Sequence, residues 1–222
     1  MGKRAVVLLS GGLDSATTLS YALDKGYECA CLIFDYQQRH RKEILQAKKV
    51  ANFFKCSYQV LKIALPWKGS ALLDRTIVLP KNRIEIPKEI PITYVPARNI
   101  IFLSFAASYT EAIGARAIFI GANAIDYSGY PDCRPDFFYA FERVLAKGLK
   151  AGVEGQKIKI HIPLVKKTKA QIIRMGLQMK TPYHLTWSCY QGGRKPCGTC
   201  DSCILRAKGF QDVGVKDPTG RK

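Results

Sequence analysis

Residues 4–15 read RAVVLLSGGLDS. The apolar run Ala5–Leu9 has the composition of a strand buried on both faces. The SGG triplet ends it, and from Asp14 to Lys25 the residues Ala16, Leu19, Ala22 and Leu23 recur on one helical face. Adjacent glycines reach backbone angles closed to other residues, so consecutive N–H groups can converge on an anion. The helix N-terminus adds its own amides and its positive dipole end. Ser10 and Ser15 supply hydroxyl donors. Asp14 would repel a phosphate; it fits a helix cap or a ligand for the Mg²⁺ that accompanies a nucleotide. The segment has neither the Gly-Lys-Ser/Thr of a Walker loop nor the dinucleotide fingerprint.

Outward from this segment, strand and helix patterns alternate. Strands are expected at 4–9, 27–34, 57–63, 115–120 and 157–162. Helices are expected at 14–25, 41–54, 99–113 and 168–175. Residues 99–113 are apolar nearly all round, which predicts a buried helix. Five prolines from Pro66 to Pro96 predict an irregular excursion. After Pro182 the pattern breaks into a compact cysteine segment. The alternation implies right-handed crossovers and an α/β, Rossmann-like parallel sheet with helices on both faces. Such a sheet binds its ligand at the C-terminal ends of its strands.

Lys and Arg total 35 against 17 Asp and Glu, a formal charge of +18. That excess raises nucleic acid as a partner. Residues 111–150 are neutral, however, whereas residues 151–222 carry fourteen basic against four acidic groups. The 47% apolar content excludes a disordered chain. The longest uncharged apolar run, Asn99–Thr110, falls short of the ~18 residues of a membrane span. The apolar run after Lys3 and Arg4 is too short for a secretory signal of roughly 7–15 apolar residues. A cytoplasmic protein is expected, and there eight cysteines point to metal or catalysis before disulfides. Cys189, Cys197, Cys200 and Cys203 have the spacing C-x7-C-x2-C-x2-C. Four thiolates so close suit a structural Zn²⁺, and the same spacing also begins a ferredoxin-type iron–sulfur motif. Spacing alone leaves both open.

Other segments are dense in aromatic, acidic and arginine side chains. FDYQQRH follows the second strand, TYVPARNIIF opens the buried helix, and DYSGYPDCRPDF holds two tyrosines, three aspartates and an arginine. Arg98 and Asn99 stand where a helix dipole favours an anion, and arginine suits bidentate carboxylate recognition. Asp126, Tyr127, Asp132 and Arg134 are further substrate candidates, each alternatively a turn, cap or surface residue. Cys133 lacks a neighbouring histidine in sequence and reads as structural or substrate-lining. Lys169 opens the helix after the fifth strand. By residue type and place alone it fits either an anion site or a solvated basic face.

SGGLDS matches the SGGxDS loop of the PP-loop ATP pyrophosphatases. Taken with the other motifs and WSCYQGGRKPCGTCDSCILRAKGF, the chain from Ala5 to about Pro218 resembles the 7-cyano-7-deazaguanine synthase family. One departure is Gln37, where the family motif more often has glycine. The resemblance implies that Leu8, Leu9, Ser10, Gly11, Gly12, Leu13, Asp14, Ser15, Ala16, Thr17 and Thr18 line the ATP site, and that Asp14, Ser15 and Lys169 serve catalysis. It implies residues 1–182 as an ATP-binding and substrate domain and 183–222 as a zinc segment held by four cysteines. It further implies ATP, Mg²⁺ and Zn²⁺ as cofactors, a homodimer, and no required nucleic acid. The activity implied is a ligase that adenylates 7-carboxy-7-deazaguanine and uses ammonia to make the nitrile. With no glutaminase domain in these 222 residues, free ammonia is the expected nitrogen source. The runner-up is a PP-loop tRNA-modifying enzyme of the thiolase type with an iron–sulfur cluster. A zinc-ribbon nucleic-acid module would leave SGGLDS unexplained.

Overall fold

The computed structural model describes residues 2–83, 89–125 and 129–220. The strands are β1 (Lys3–Leu8), β2 (Tyr27–Asp35), β3 (Ser57–Lys62), β4 (Ala117–Phe119) and β5 (Lys159–His161). The helices are α1 (Leu13–Asp24), α2 (Lys42–Phe53), α3 (Arg98–Ala112), α4 (Pro135–Gly148), α5 (Lys150–Val153), α6 (Lys169–Gln178) and α7 (Asp201–Val213). The strands form one sheet in the order β3-β2-β1-β4-β5. All four pairings are parallel, with Val6 opposite Ala30 on one side of β1 and Ile118 on the other. Because the chain winds outward from β1 in both directions, the β1/β4 boundary is the switch point where such sheets open a crevice.

Strand alternation divides the core into two layers. Val6, Leu8, Leu32, Phe34 and Ile118 face Leu103 and Ala106 of α3 and Phe138, Phe141 and Leu145 of α4. Ala5, Val7, Cys31, Ile33 and Phe119 face Ala16 and Leu19 of α1 and Ala47, Val50 and Ala51 of α2. The expected sheet covered on both faces is therefore present.

Among the described residues, no helix or strand interrupts the stretch between Lys62 and Arg98, as its prolines predict. Three features differ from expectation. Helix α4 fills a stretch read only for its polar motif; Pro135 at its first turn and Phe138, Phe141 and Leu145 on one face start and bury it. Helix α7 follows directly from the cysteine segment. Helix α3 is not buried all round: Ile100 and Phe105 are 42% and 41% exposed, because the sheet covers only one side of it.

Two backbone positions carry strain arguments. Gly11 has φ +83°, and a Cβ there would stand 2.2 Å from the Glu43 carbonyl oxygen and 2.6 Å from the Ala47 nitrogen. The glycine thus lets α2 press directly on the loop after β1. Gly11→Ala is expected to destabilise the fold by about 3 kcal/mol, read as a lowered urea midpoint. Gln37 has φ +61°, left-handed backbone that glycine adopts without a Cβ penalty. Gln37→Gly is expected to leave stability unchanged or raise it by up to about 1 kcal/mol in the same titration.

Candidate active site

A cavity of about 260 Å³ opens at the C-terminal ends of β1 and β4. Its floor is the turn from β1 into α1: Ser10, Gly12, Leu13, Asp14 and Ser15. The turn is held by its own serines. Ser15 Oγ accepts from the Ser10 N–H at 3.2 Å and donates to the Gly12 carbonyl at 3.1 Å, while the Gly12 N–H reaches Ser10 Oγ at 3.4 Å. Lys169, at the start of α6, places Nζ 2.8 Å from both carboxylate oxygens of Asp14. The capping box between Thr168 and Gln171 fixes that helix start. Residues 155 apart in sequence thus meet at the mouth of the loop.

A second wall comes from β2, α3 and the turn before α4. Phe34 and Phe102 stack with centroids 3.9 Å apart and planes 3° apart. Arg98 opens α3 into the cavity. Burial works against its charge, but Tyr36, Tyr130, Cys133 and Asp132 outweigh it and hold the guanidinium above its ordinary value. Asp132 is buried; its Oδ2 accepts from the Asn99 backbone N–H at 3.0 Å. Burial raises its carboxyl, partly offset by that N–H and by Arg98. Asn99 Nδ2 donates to the Asp132 carbonyl at 3.1 Å and lies 3.3 Å from Cys133 Sγ. Burial and Asp132 push the Cys133 thiol up to about 12, so it is no thiolate nucleophile at neutral pH. Tyr130 shares a 2.7 Å hydrogen bond with Thr93.

The third wall is the C-terminal segment: Trp187, Ser188, Tyr190, Ser202 and Arg206 line the cavity. The Trp187 backbone N–H donates to the Gly11 carbonyl at 2.9 Å, and its indole N–H donates to the Cys189 carbonyl at 2.8 Å. One tryptophan therefore bonds the floor of the cavity on one side and the cysteine segment on the other. Lys42 Nζ sits 4.1 Å from the indole centroid. Arg206 is 5% exposed, and its guanidinium donates to Asp217, Thr186, Ser188 and the Tyr183 carbonyl. It clamps residues 183–188 and the C-terminal turn together.

The Sγ atoms of Cys189, Cys197, Cys200 and Cys203 all lie within 4.8 Å of one another. Cys197 and Cys203 are 3.9 Å apart. Thiolates about 2.3 Å from a tetrahedral ion stand about 3.8 Å apart, so the cluster fits a single metal ion. Backbone N–H groups of Gln191 and Cys197 point at Cys189 Sγ, and those of Thr199 and Cys200 at Cys197 Sγ. Such donors favour the charged sulfur.

Of the loop residues read from the sequence, Leu8, Leu9, Ser10, Gly12, Leu13, Asp14 and Ser15 line the cavity. Gly11 and Ala16 lie beneath them, and Thr17 and Thr18 turn inward to the Leu13 and Asp14 carbonyls. Lys169, Arg98 and Asn99 also line it, with Asp132 behind them. Arg134 is exposed at the start of α4, outside the lining. Asp126 and Tyr127 lie outside the described residues. Sequence reading places neither Glu43 nor Arg206 in this cavity; from sequence Arg206 reads only as a cation offsetting the cysteine thiolates. Glu43 looks like an ordinary first-turn acid.

No helix among the described residues is long and apolar enough to cross a membrane. Among solved structures, the fold is similar to NMN synthetase from Francisella tularensis (TM-score 0.51, 15% identity, covering 97% of this chain and 78% of that one). It is likewise similar to a 4-thiouridine synthetase in an RNA complex with bound ATP (TM-score 0.50, 18% identity, 96% and 50%). These likenesses concern the fold alone. In sequence, the chain is 53% identical over 217 residues to the 7-cyano-7-deazaguanine synthase of Thermoplasma acidophilum, covering 97% of this chain and 91% of that protein. It is 54% identical over 216 residues to that of Acetivibrio thermocellus (97% and 96%). It is 51% identical over 219 residues to that of Trichodesmium erythraeum (97% and 99%). The model of the family described as queuosine biosynthesis protein QueC matches residues 4–214, and the chain belongs to that family.

Proposed function

We propose that the protein is an ATP-dependent carbon–nitrogen ligase that converts 7-carboxy-7-deazaguanine and ammonia into 7-cyano-7-deazaguanine. The observation that carries this reading is one cavity joining a phosphate-type loop, with its Asp14–Lys169 pair, to an aromatic wall bearing Arg98. A carboxylate is a poor electrophile, and transfer of AMP makes it a good one. Arg98 pairs with the carboxylate of the substrate, and the Phe34–Phe102 stack offers its heterocycle a flat apolar flank. Asn99 and Asp132 set the start of α3 and so aim Arg98. Loop amides and the Ser10 and Ser15 hydroxyls hold the phosphates. Asp14 is the residue that would hold Mg²⁺, which when bound neutralises charge on the phosphates. Lys169 leaves Asp14 for the departing pyrophosphate. Ammonia then displaces AMP to give the amide, and a second adenylation, on the amide oxygen, leads to the nitrile. Asp126, Tyr127 and Arg134 stay candidates for the rim of the substrate site.

The four cysteines would hold Zn²⁺, a closed set that supports structure rather than chemistry. Their compactness disfavours an iron–sulfur cluster, whose several irons separate the thiolates further, and with it the tRNA-thiolase reading. Functionally, residues 1–182 bind ATP and substrate, and residues 183–222 form the metal segment that closes their cavity. The exposed Ile100 and Phe105 of α3 and Tyr139 and Val144 of α4 suit a homodimer contact, and the reaction belongs in the cytoplasm.

The test incubates the protein with the deazaguanine acid, ATP and ammonium, follows products by mass spectrometry, and measures bound metal. Nitrile that requires all three, from a protein carrying one zinc per chain, supports the proposal. An iron-containing protein that makes no nitrile overturns it.

A further inference from the structure

Asp14 and Glu43 are the carboxylates lining the cavity among the described residues. Lys169 takes up Asp14. Glu43 has no role in the scheme above. It stands half-buried in the first turn of α2, and its backbone carbonyl presses on Gly11 of the phosphate loop. Its carboxyl feels the Arg98 charge from the other side of the cavity. Among the described residues, no hydrogen bond or ion pair holds that carboxyl. It therefore stands by the place where phosphate loop and carboxylate anchor converge, which is where the acyl carbon must sit.

The ligase reaction needs a group at that place. A nitrile nitrogen carries no hydrogen, so all four N–H bonds of ammonium must break. When ammonium enters and the amide forms, the C–N bond forms, the C–O bond to AMP breaks, and two protons leave the nitrogen. Adenylation of the amide oxygen releases pyrophosphate and a third proton. Cleavage of the second C–O bond expels AMP as the fourth proton departs. Each proton must pass from nitrogen to an acceptor that returns it to solvent before the next.

Resting on the ligase reading, we propose that Glu43 is the catalytic base of both halves: its carboxylate docks ammonium beside the acyl carbon and takes the protons of the nitrogen. Burial raises its carboxyl to about 7, with Arg98 pulling it down and the Cys189 sulfur pushing it up, a range that suits proton transfer at neutral pH.

The decisive variant is Glu43→Gln, which keeps the shape and removes the basicity. Nitrile formation from ammonium is expected to fall by about 10²–10³-fold, and conversion of supplied amide to nitrile to fall with it. Acid-dependent exchange of labelled pyrophosphate into ATP, which involves no nitrogen, is expected to persist. So is hydroxamate formation from hydroxylamine, a nucleophile uncharged at neutral pH. Glu43→Asp, which retains a carboxylate, is expected to recover part of the ammonium reaction. Nitrile formation at the wild-type rate by Glu43→Gln overturns the proposal. So does loss of exchange and hydroxamate formation in step with the ammonium reaction, which marks a role in folding or acid binding. Wild-type protein that forms no nitrile at all overturns instead the ligase reading on which the proposal rests.

Discussion

Replacing Lys169 by methionine is expected to lower ATP-dependent turnover by about 10²–10³-fold, the effect of removing one preorganised charge from a developing anion. Asp14→Ala is expected to abolish turnover. The two residues form a bidentate pair, with both oxygens 2.8 Å from Nζ and the side chains 11% and 22% exposed. Lys169→Met leaves the largely enclosed Asp14 carboxylate without this cation, at about 1–3 kcal/mol of stability. The double variant Asp14→Asn/Lys169→Met removes both charges. It is expected to recover stability without recovering turnover, which separates the chemical role from the structural one. Urea midpoints together with steady-state rates check this; a double variant as active as wild type sinks the assignment.

The second large effect concerns the metal segment. Cys200→Ser is expected to lose the bound metal and lower the melting midpoint by about 10 °C or more, since structural zinc contributes folding free energy directly. The damage should reach the cavity. Trp187 hydrogen-bonds both Gly11 and Cys189, and α7 carries Arg206 and Ser202 into the lining. ATP affinity should therefore fall with metal content when a chelator is titrated in. Part of the fold should persist, because Phe210 of α7 packs with Ile172 and Ile173 of α6 and with Tyr183 and Leu13. A Cys200→Ser protein with unchanged metal content and melting midpoint contradicts a structural metal. Unchanged ATP affinity after full metal removal contradicts the coupling.

What could be read from the sequence was what a short segment encodes by itself. The β1–loop–α1 unit has its apolar run, its glycines and its helical stripe in consecutive residues, and it lies where expected. The four cysteines announced their cluster by density. Helix α4 is legible in its Phe138, Phe141 and Leu145 stripe, which a polar motif overlaps at its start. Helix α7 was not legible, since its inward face uses Cys203, Arg206 and Gly209 beside a single large apolar residue, Phe210. Its periodicity makes sense only once the metal segment and the Arg206–Asp217 pair are in place. The meeting of Lys169 with Asp14, and of Trp187 with Gly11, depends on long-range closure that no local pattern reports. The +18 charge, prominent at first reading, says least about the site.

On the proposed function, this cavity adenylates a carboxylate and then an amide on one carbon. The most direct test follows the two carboxylate oxygens. Deazaguanine acid labelled with ¹⁸O in both positions is converted with unlabelled ATP and ammonium, and the nucleotides are analysed by mass spectrometry. AMP and pyrophosphate are expected, two of each per nitrile, with one ¹⁸O in each AMP. Label in inorganic phosphate with ADP as the nucleotide product, or nitrile formed with unlabelled AMP, contradicts it.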